Sequence, residues 1–114
     1  MSREVEHVYK AIGIWSWPKA EDLAAFKQHY VAVHYPLAEK LPGVNRITVM
    51  TNGEAGRETG IFRLAEVYWD DRAAFERASE SAEWQAMAAD AMQLMERFDV
   101  TLTAADGEEL DRAY

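Results

Sequence analysis

Residues 44–69 read VNRITVMTNGEAGRETGIFRLAEVYW, and this stretch decides the fold. Val44 to Thr51 and Ile61 to Trp69 are rich in β-branched and aromatic residues, while Asn52-Gly53-Glu54-Ala55-Gly56 supplies turn residues. The segment therefore reads as two antiparallel strands joined by an open hairpin. Upstream, HVYKAIGIW from His7 to Trp15 is a further strand that stops at the turn-prone Ser16-Trp17-Pro18. Between it and the hairpin, Leu23, Phe26, Tyr30, Val33 and Leu37 recur at three- and four-residue spacing and form the apolar stripe of a helix. Pro36 has no N–H and pushes Tyr35 away from helical angles, so a kink or restart is expected there. The helix then stops at Leu41-Pro42-Gly43.

Downstream of the hairpin, Asp70-Asp71 can cap a helix with Phe75 and Ala78 on its apolar side. Ser79-Glu80-Ser81 breaks it, and a second helical piece carries Trp84, Met87, Ala88, Ala91, Leu94, Met95 and Phe98 on one face. Val100 to Ala104 is the last strand, and the tail GEELDRAY is expected to be loose or a short helix. Strand, helix, strand, strand, helix, strand is the ferredoxin-like βαββαβ order of an α+β domain with a four-stranded antiparallel sheet. The 114 residues contain no linker-like run, so one domain over residues 1–114 is expected.

Two helices cover one face of such a sheet and leave the other to water or to a partner. In the first strand Val8, Ile12 and Ile14 oppose Tyr9, Ala11 and Trp15; in the third, Leu64 and Tyr68 oppose Ala65, Val67 and Trp69. Neither set is a water-facing pattern, which predicts a homodimer with two sheets packed face to face in a barrel-like core.

Composition removes several function classes. Twelve Lys and Arg against twenty Asp and Glu give a net charge of -8, the wrong sign for holding phosphate backbones or anionic membranes. The chain has no cysteine, which excludes disulfides, thiol nucleophiles and cysteine-bound metal clusters. The polar start MSREVEHVYK is not a signal peptide, and no apolar run approaches a membrane-spanning length. A cytoplasmic protein with no nucleic-acid or membrane partner is expected. There is no Gly-rich phosphate loop, nucleophile elbow or dinucleotide fingerprint. No metal or other cofactor is expected either: His29 and His34 are five residues apart, which on an α-helix points them to different sides.

The segment HYVAVHYPLAEKLPG, His29 to Gly43, resembles the signature of the EthD family, in which a helix ends near a His-x-Pro pair followed by Leu-Pro-Gly and a strand. His34, Pro36, Leu41, Pro42 and Gly43 carry the match. EVYWDDRAAFERASESAEWQAMAADAMQLM is similar to the family's following strand, helix, Ser break and second helix with an Asp, here Asp90. The resemblance covers nearly the whole chain. It implies a dimeric α+β barrel with a small-molecule pocket between helices and sheet. EthD is associated with ether degradation, and similar proteins include muconolactone methylisomerases and dehydratases and decarboxylases of aromatic polyketides. In the isomerase-like relatives a His at the position of His34 works with a Tyr on the next strand; Ile47 stands at that place here.

His34 follows Tyr30 and precedes Leu37 by one turn each, so it shares the buried edge of the stripe. An imidazole there can serve as general acid or base near neutral pH, or be a hydrogen-bonded structural His at a helix end. Asp90 lies at the flank of the second stripe, where a carboxylate is expected to face water; the alternative is that it orients His34 or a substrate hydroxyl. Tyr30, Trp84 and Met87 are candidate substrate-binding residues, with plain core packing as the alternative. Arg46 and Glu66, on adjacent strands, are expected to form an ion pair. These features fit a cofactor-independent enzyme acting on an aromatic, lactone or polyketide-like compound, or a non-catalytic small-molecule-binding dimer of a catabolic pathway.

Overall fold

The computed structural model describes residues 7–110. β1 (His7–Ser16), β2 (Arg46–Thr51), β3 (Ile61–Trp69) and β4 (Leu102–Leu110) form one sheet in the order β2-β3-β1-β4, with every neighbouring pair antiparallel. The helical pieces are α1 (Leu23–His29), a π-helical turn (Tyr30–His34), α2 (Tyr35–Glu39), α3 (Arg72–Ser79) and α4 (Ala82–Phe98). They cover one face of the sheet, which makes this the ferredoxin-like α+β architecture. Asp71 caps α3 by accepting from the Ala74 N–H at 2.8 Å, and Ser81 caps α4 by accepting from the Trp84 N–H at 3.1 Å.

Two expectations about the elements need correction. The last strand runs to Leu110 rather than stopping at Ala104, because all nine of its residues pair with β1. The part of GEELDRAY that is described, 107–110, is thus strand, and residues 111–114 lie outside the described residues. Its polar sequence hid this: an edge strand with one solvated side tolerates Asp and Glu that would disfavour a central one. The helix does restart at Pro36, as α2 from Tyr35, and it does so through a widened turn described below. Arg46 does not pair with Glu66; it sits opposite Tyr68 with its guanidinium over that ring, and Glu66 is instead held by Lys10, Thr48 and Tyr68.

The widening has a single cause. Pro36 offers no N–H to Ala32 and its ring crowds that carbonyl. The run answers with a π turn, in which the Tyr35 N–H reaches back five residues to the Tyr30 carbonyl. One extra residue is absorbed, so the buried stripe shifts by one position beyond Tyr30. His34 is buried, as its place on the edge of the stripe predicts, and Ala38 is buried where Leu37 was expected, while Val33 is exposed.

The core on the helix side divides into two clusters. One gathers Trp15, Phe26, Tyr30, Phe62, Leu94, Phe98 and Val100; the other centres on Trp69 with Leu41, Ala78, Phe75 and Trp84. Trp69 is fixed by donating its indole N–H to the Pro42 carbonyl at 2.9 Å. Phe26 is fully buried and meets Trp15, Phe62 and Phe98 edge-on. A bulge in β3 sets Phe62 without a partner on β1, between the Trp15–Arg63 and Ser16–Ile61 pairs, and allows it to reach Phe26. Because Phe26 ties α1 to both the sheet and α4, replacing it with Ala is expected to cost about 3–5 kcal/mol. Urea denaturation of Phe26→Ala measures this, and a loss well below that range would show that the cluster closes around the gap.

Candidate active site

Between the two clusters lies a cavity of about 410 Å³, walled on one side by the sheet and on the other by the helical run 30–41 and α4. The sequence keeps it open by placing small residues where larger ones would fill it. Ala11 and Gly13 on β1, Ala65 on β3 and Ala104 on β4 form the floor, and Ala88 and Ala91 form the α4 side. Gly13 is close to a limit, since a Cβ there would come within 3.2 Å of the Leu102 side chain. The size suits a small organic molecule of one or two rings. Its walls are mostly apolar, and the polar side chains among them are His34, Tyr30, Tyr35 and Asp106.

Tyr30, His34, Trp84 and Met87 all line this cavity, whereas Asp90 does not. Asp90 stands behind His34. Its Oδ2 lies 2.9 Å from His34 Nδ1, and its Oδ1 lies 2.8 Å from His29 Nε2. The expectation of a solvated Asp90 is therefore overturned: the residue is 7% exposed, closed between two imidazoles. A carboxylate far from water must find donors, and here it finds them on the neighbouring helical run. The expectation that His29 and His34 point to different sides fails for a related reason. On an α-helix five residues would rotate them apart, but the π turn makes five residues about one turn, so both rings meet α4 from the same side.

With Asp90 ionised, the carboxylate can only accept, so His34 donates Nδ1–H and His29 donates Nε2–H. Nε2 of His34 makes no hydrogen bond among the described residues and is not one of the buried atoms closed off without a partner. It is the ring nitrogen left to a molecule in the cavity. Two more rings pack against the imidazole, Trp15 edge-on with centroids 5.4 Å apart and Tyr30 tilted at 5.2 Å. Arg63, also buried, lies over the Tyr30 ring at 4.5 Å and bonds Thr51 Oγ1 at 3.0 Å. Sequence reading missed His29, Tyr35 and Arg63. For His29 a signal was present, namely a second His five residues before one that itself precedes a Pro by two.

Burial pushes the His34 imidazole below its ordinary value, with the Asp90 hydrogen bond and charge opposing that shift and His29 adding to it. Neutral His34 with Nδ1–H on a carboxylate is the arrangement of a general base whose tautomer is fixed from behind. The same shift has a stability consequence. As pH falls through the ordinary imidazole range near 6.5, the unfolded chain takes up a proton that folded His34 still refuses. Stability is therefore intact above that pH and falls below it, until the folded form is protonated too. Unfolding free energies measured from about pH 7 to 5 are expected to drop less steeply for His34→Gln than for the natural chain; equal slopes would show that His34 does not titrate differently in the folded state.

No protein-family model matches the sequence. An uncharacterized 11.0 kDa protein of the thcB–thcC intergenic region of Rhodococcus erythropolis is 31% identical over 84 residues, covering 73% of this chain and 80% of the relative. Among solved structures, the chain is similar to a hydroxynitrile lyase from Passiflora edulis at 13% identity and a TM-score of 0.73, covering 96% of this chain and 99% of that one. It is also similar to SnoaB, a cofactor-independent oxygenase from Streptomyces nogalater, at 18% identity and a TM-score of 0.58, with 96% of each chain covered. At those identities the likeness is one of fold. An ethyl tert-butyl ether D (EthD) family protein from Bacillus halodurans is nearer in sequence, 30% identical with a TM-score of 0.76 over 90% of this chain and 98% of the other. Identity at that level across almost the full length of both chains, on the same sheet and helices, makes this chain a member of the EthD family.

Proposed function

We propose that this chain is a small-molecule enzyme that moves a proton on a flat, largely apolar ring compound, an aromatic, lactone or polyketide-like molecule, with His34 as the general base. The observation that carries this reading is the placement of His34: Nδ1 fixed by buried Asp90, the ring on the wall of an apolar cavity, and Nε2 free to face what enters. In the first step Nε2 takes a proton from a carbon next to a carbonyl, and the C–H electron pair moves to the carbonyl oxygen as an enolate. The phenols of Tyr30 and Tyr35 stand on the same wall and can donate to that oxygen. Asp90 stabilises the imidazolium that forms, and the proton then returns to another atom of the same molecule. Trp84 and Met87 act by shape, holding the ring from the α3–α4 side. Ile47 lines the cavity where the isomerase-like relatives use a Tyr, so His34 and its own neighbours carry the proton chemistry. The cofactor-independent oxygenase and the lyase of the same fold support the idea that this scaffold hosts more than one reaction.

A homodimer through the open sheet face belongs to the same reading. Val8, Ile12, Ile14 and Leu64 give that face an apolar surface, half-buried in the single chain. Across its middle, Lys10 bridges Glu66 at 3.0 Å and Glu109 at 2.8 Å. The two carboxylates raise the Lys10 pKa, and Lys10, with Tyr68, holds Glu66 below the usual carboxylate range. Lys10 offsets one of the two carboxylates and the Tyr68 and Thr48 hydroxyls add hydrogen bonds to Glu66, so what a second sheet would have to accommodate is one residual negative charge, with Glu109 the more exposed of the pair.

A thermal-shift screen of aromatic acids, lactones and cyclic ketones is expected to yield a ligand that raises the melting temperature. With that ligand as substrate, His34→Ala should lower kcat at least about a hundred-fold. Binding without turnover would leave a non-catalytic binding protein, and turnover unchanged in His34→Ala would leave His34 a structural role only. Light scattering at micromolar concentration should give the mass of two chains; a monomer would remove the sheet-to-sheet dimer.

A further inference from the structure

His34 and Asp90 carry the proton chemistry of the site, and His29 stands beside them as a third titratable group. Its side chain is 20% exposed, against 9% for His34 and 8% for Asp90, so the three groups step from the surface to the cavity wall. On the outer side His29 opens to a shallow groove with Gln93, Glu96 and Arg97 of α4. On the inner side it occupies the Asp90 oxygen that His34 does not use. A buried carboxylate bonded through one oxygen alone could rotate about its side chain; bonded through both, it presents Oδ2 to His34 in one orientation.

We propose that His29 is a positioning residue of the His34 site, which locks the Asp90 carboxylate from the solvent side and, by gaining charge, reduces the readiness of His34 to take up a proton. This rests on reading His34 as the base. Two imidazoles share one carboxylate, so a proton on His29 spends part of the Asp90 charge that would otherwise stabilise a His34 imidazolium. The coupling is reciprocal, and the pair takes up protons in two linked steps. The other titratable or charged groups around it are Glu96 and Arg97 on α4, Tyr30 and Tyr35 on the helical run, Asp106 of β4 on the cavity wall, and Arg63 of β3 over the Tyr30 ring. His29 is the member that solvent reaches, so the acidity outside is passed to a base that lies inside.

Two variants separate the locking from the charge. In His29→Gln the side-chain amide can still donate to Asp90 Oδ1 but carries no titrating charge; in His29→Phe both are gone. Two-bond proton–nitrogen spectra of nitrogen-15-labelled protein, titrated from about pH 8 to 4, report the tautomer and protonation of His34 directly. For the natural chain the expected result is neutral His34 with the proton on Nδ1 at neutral pH and a two-step curve. His29→Gln should keep that tautomer, lose one step and raise the His34 midpoint by roughly half a pH unit, about a three-fold gain in proton affinity. His29→Phe should show His34 in both tautomers. A His29→Gln curve with the midpoint and shape of the natural chain would overturn the proposal, whatever His29→Phe does to folding. No substrate enters these spectra, so this result and the turnover of His34→Ala fail or stand separately.

Discussion

The missing N–H of Pro36 is the constraint on which the site depends. An α-helical run through that point would strand the Ala32 carbonyl against the pyrrolidine ring, and the π turn from Tyr30 to His34 resolves the clash by letting the Tyr35 N–H bond five residues back. Everything after Tyr30 is thereby rotated. Val33 turns outward, Ala38 turns inward, and His29 and His34 come to the same side of the run. A backbone irregularity with a covalent cause has become the device that assembles a buried histidine, its carboxylate and a second histidine.

Asp90 is the other half of that device. A carboxylate buried in the middle of α4 would be costly without donors, and each hydrogen bond to its charged form offsets part of that cost. The two imidazoles satisfy it from one neighbour, so Asp90 also fastens the Tyr30–His34 turn to α4. The cavity beside it exists because the aromatic clusters around Phe26 and Trp69 do not merge. Small side chains on three strands and on α4 keep them apart, and the large residues sit at the edges of the gap. Stability is concentrated in the clusters, while the space between is left for a ligand.

The two faces of the sheet solve different problems. The helix side holds the cavity and the aromatic core. The open side carries an apolar surface crossed by the Lys10, Glu66 and Glu109 network, with Tyr68 and Thr48 completing the bonds of Glu66. An oxygenase and a lyase share this fold, and a fold does not by itself fix a reaction.

The sequence by itself determined the element order, the antiparallel sheet, the Asp71 cap and the break between α3 and α4, because each rests on local periodicity and on turn or capping residues that act over a few positions. It also singled out His34 through its His-x-Pro neighbourhood. What tertiary structure decided was the rest of the site. Asp90 looked solvated because helix-edge carboxylates usually are, and only packing against the π turn closes it in. His29 looked misdirected because α-helical spacing was assumed, and the one-residue shift at Pro36 reverses that inference. The full length of β4 was equally illegible, since Asp106, Glu108 and Glu109 are held in a strand by pairing with β1 and not by any preference of their own. For Asp90 and β4 the deciding partner lies tens of residues away, beyond the reach of local pattern, while for His29 it is a backbone widening set by Pro36 that α-helical spacing does not describe.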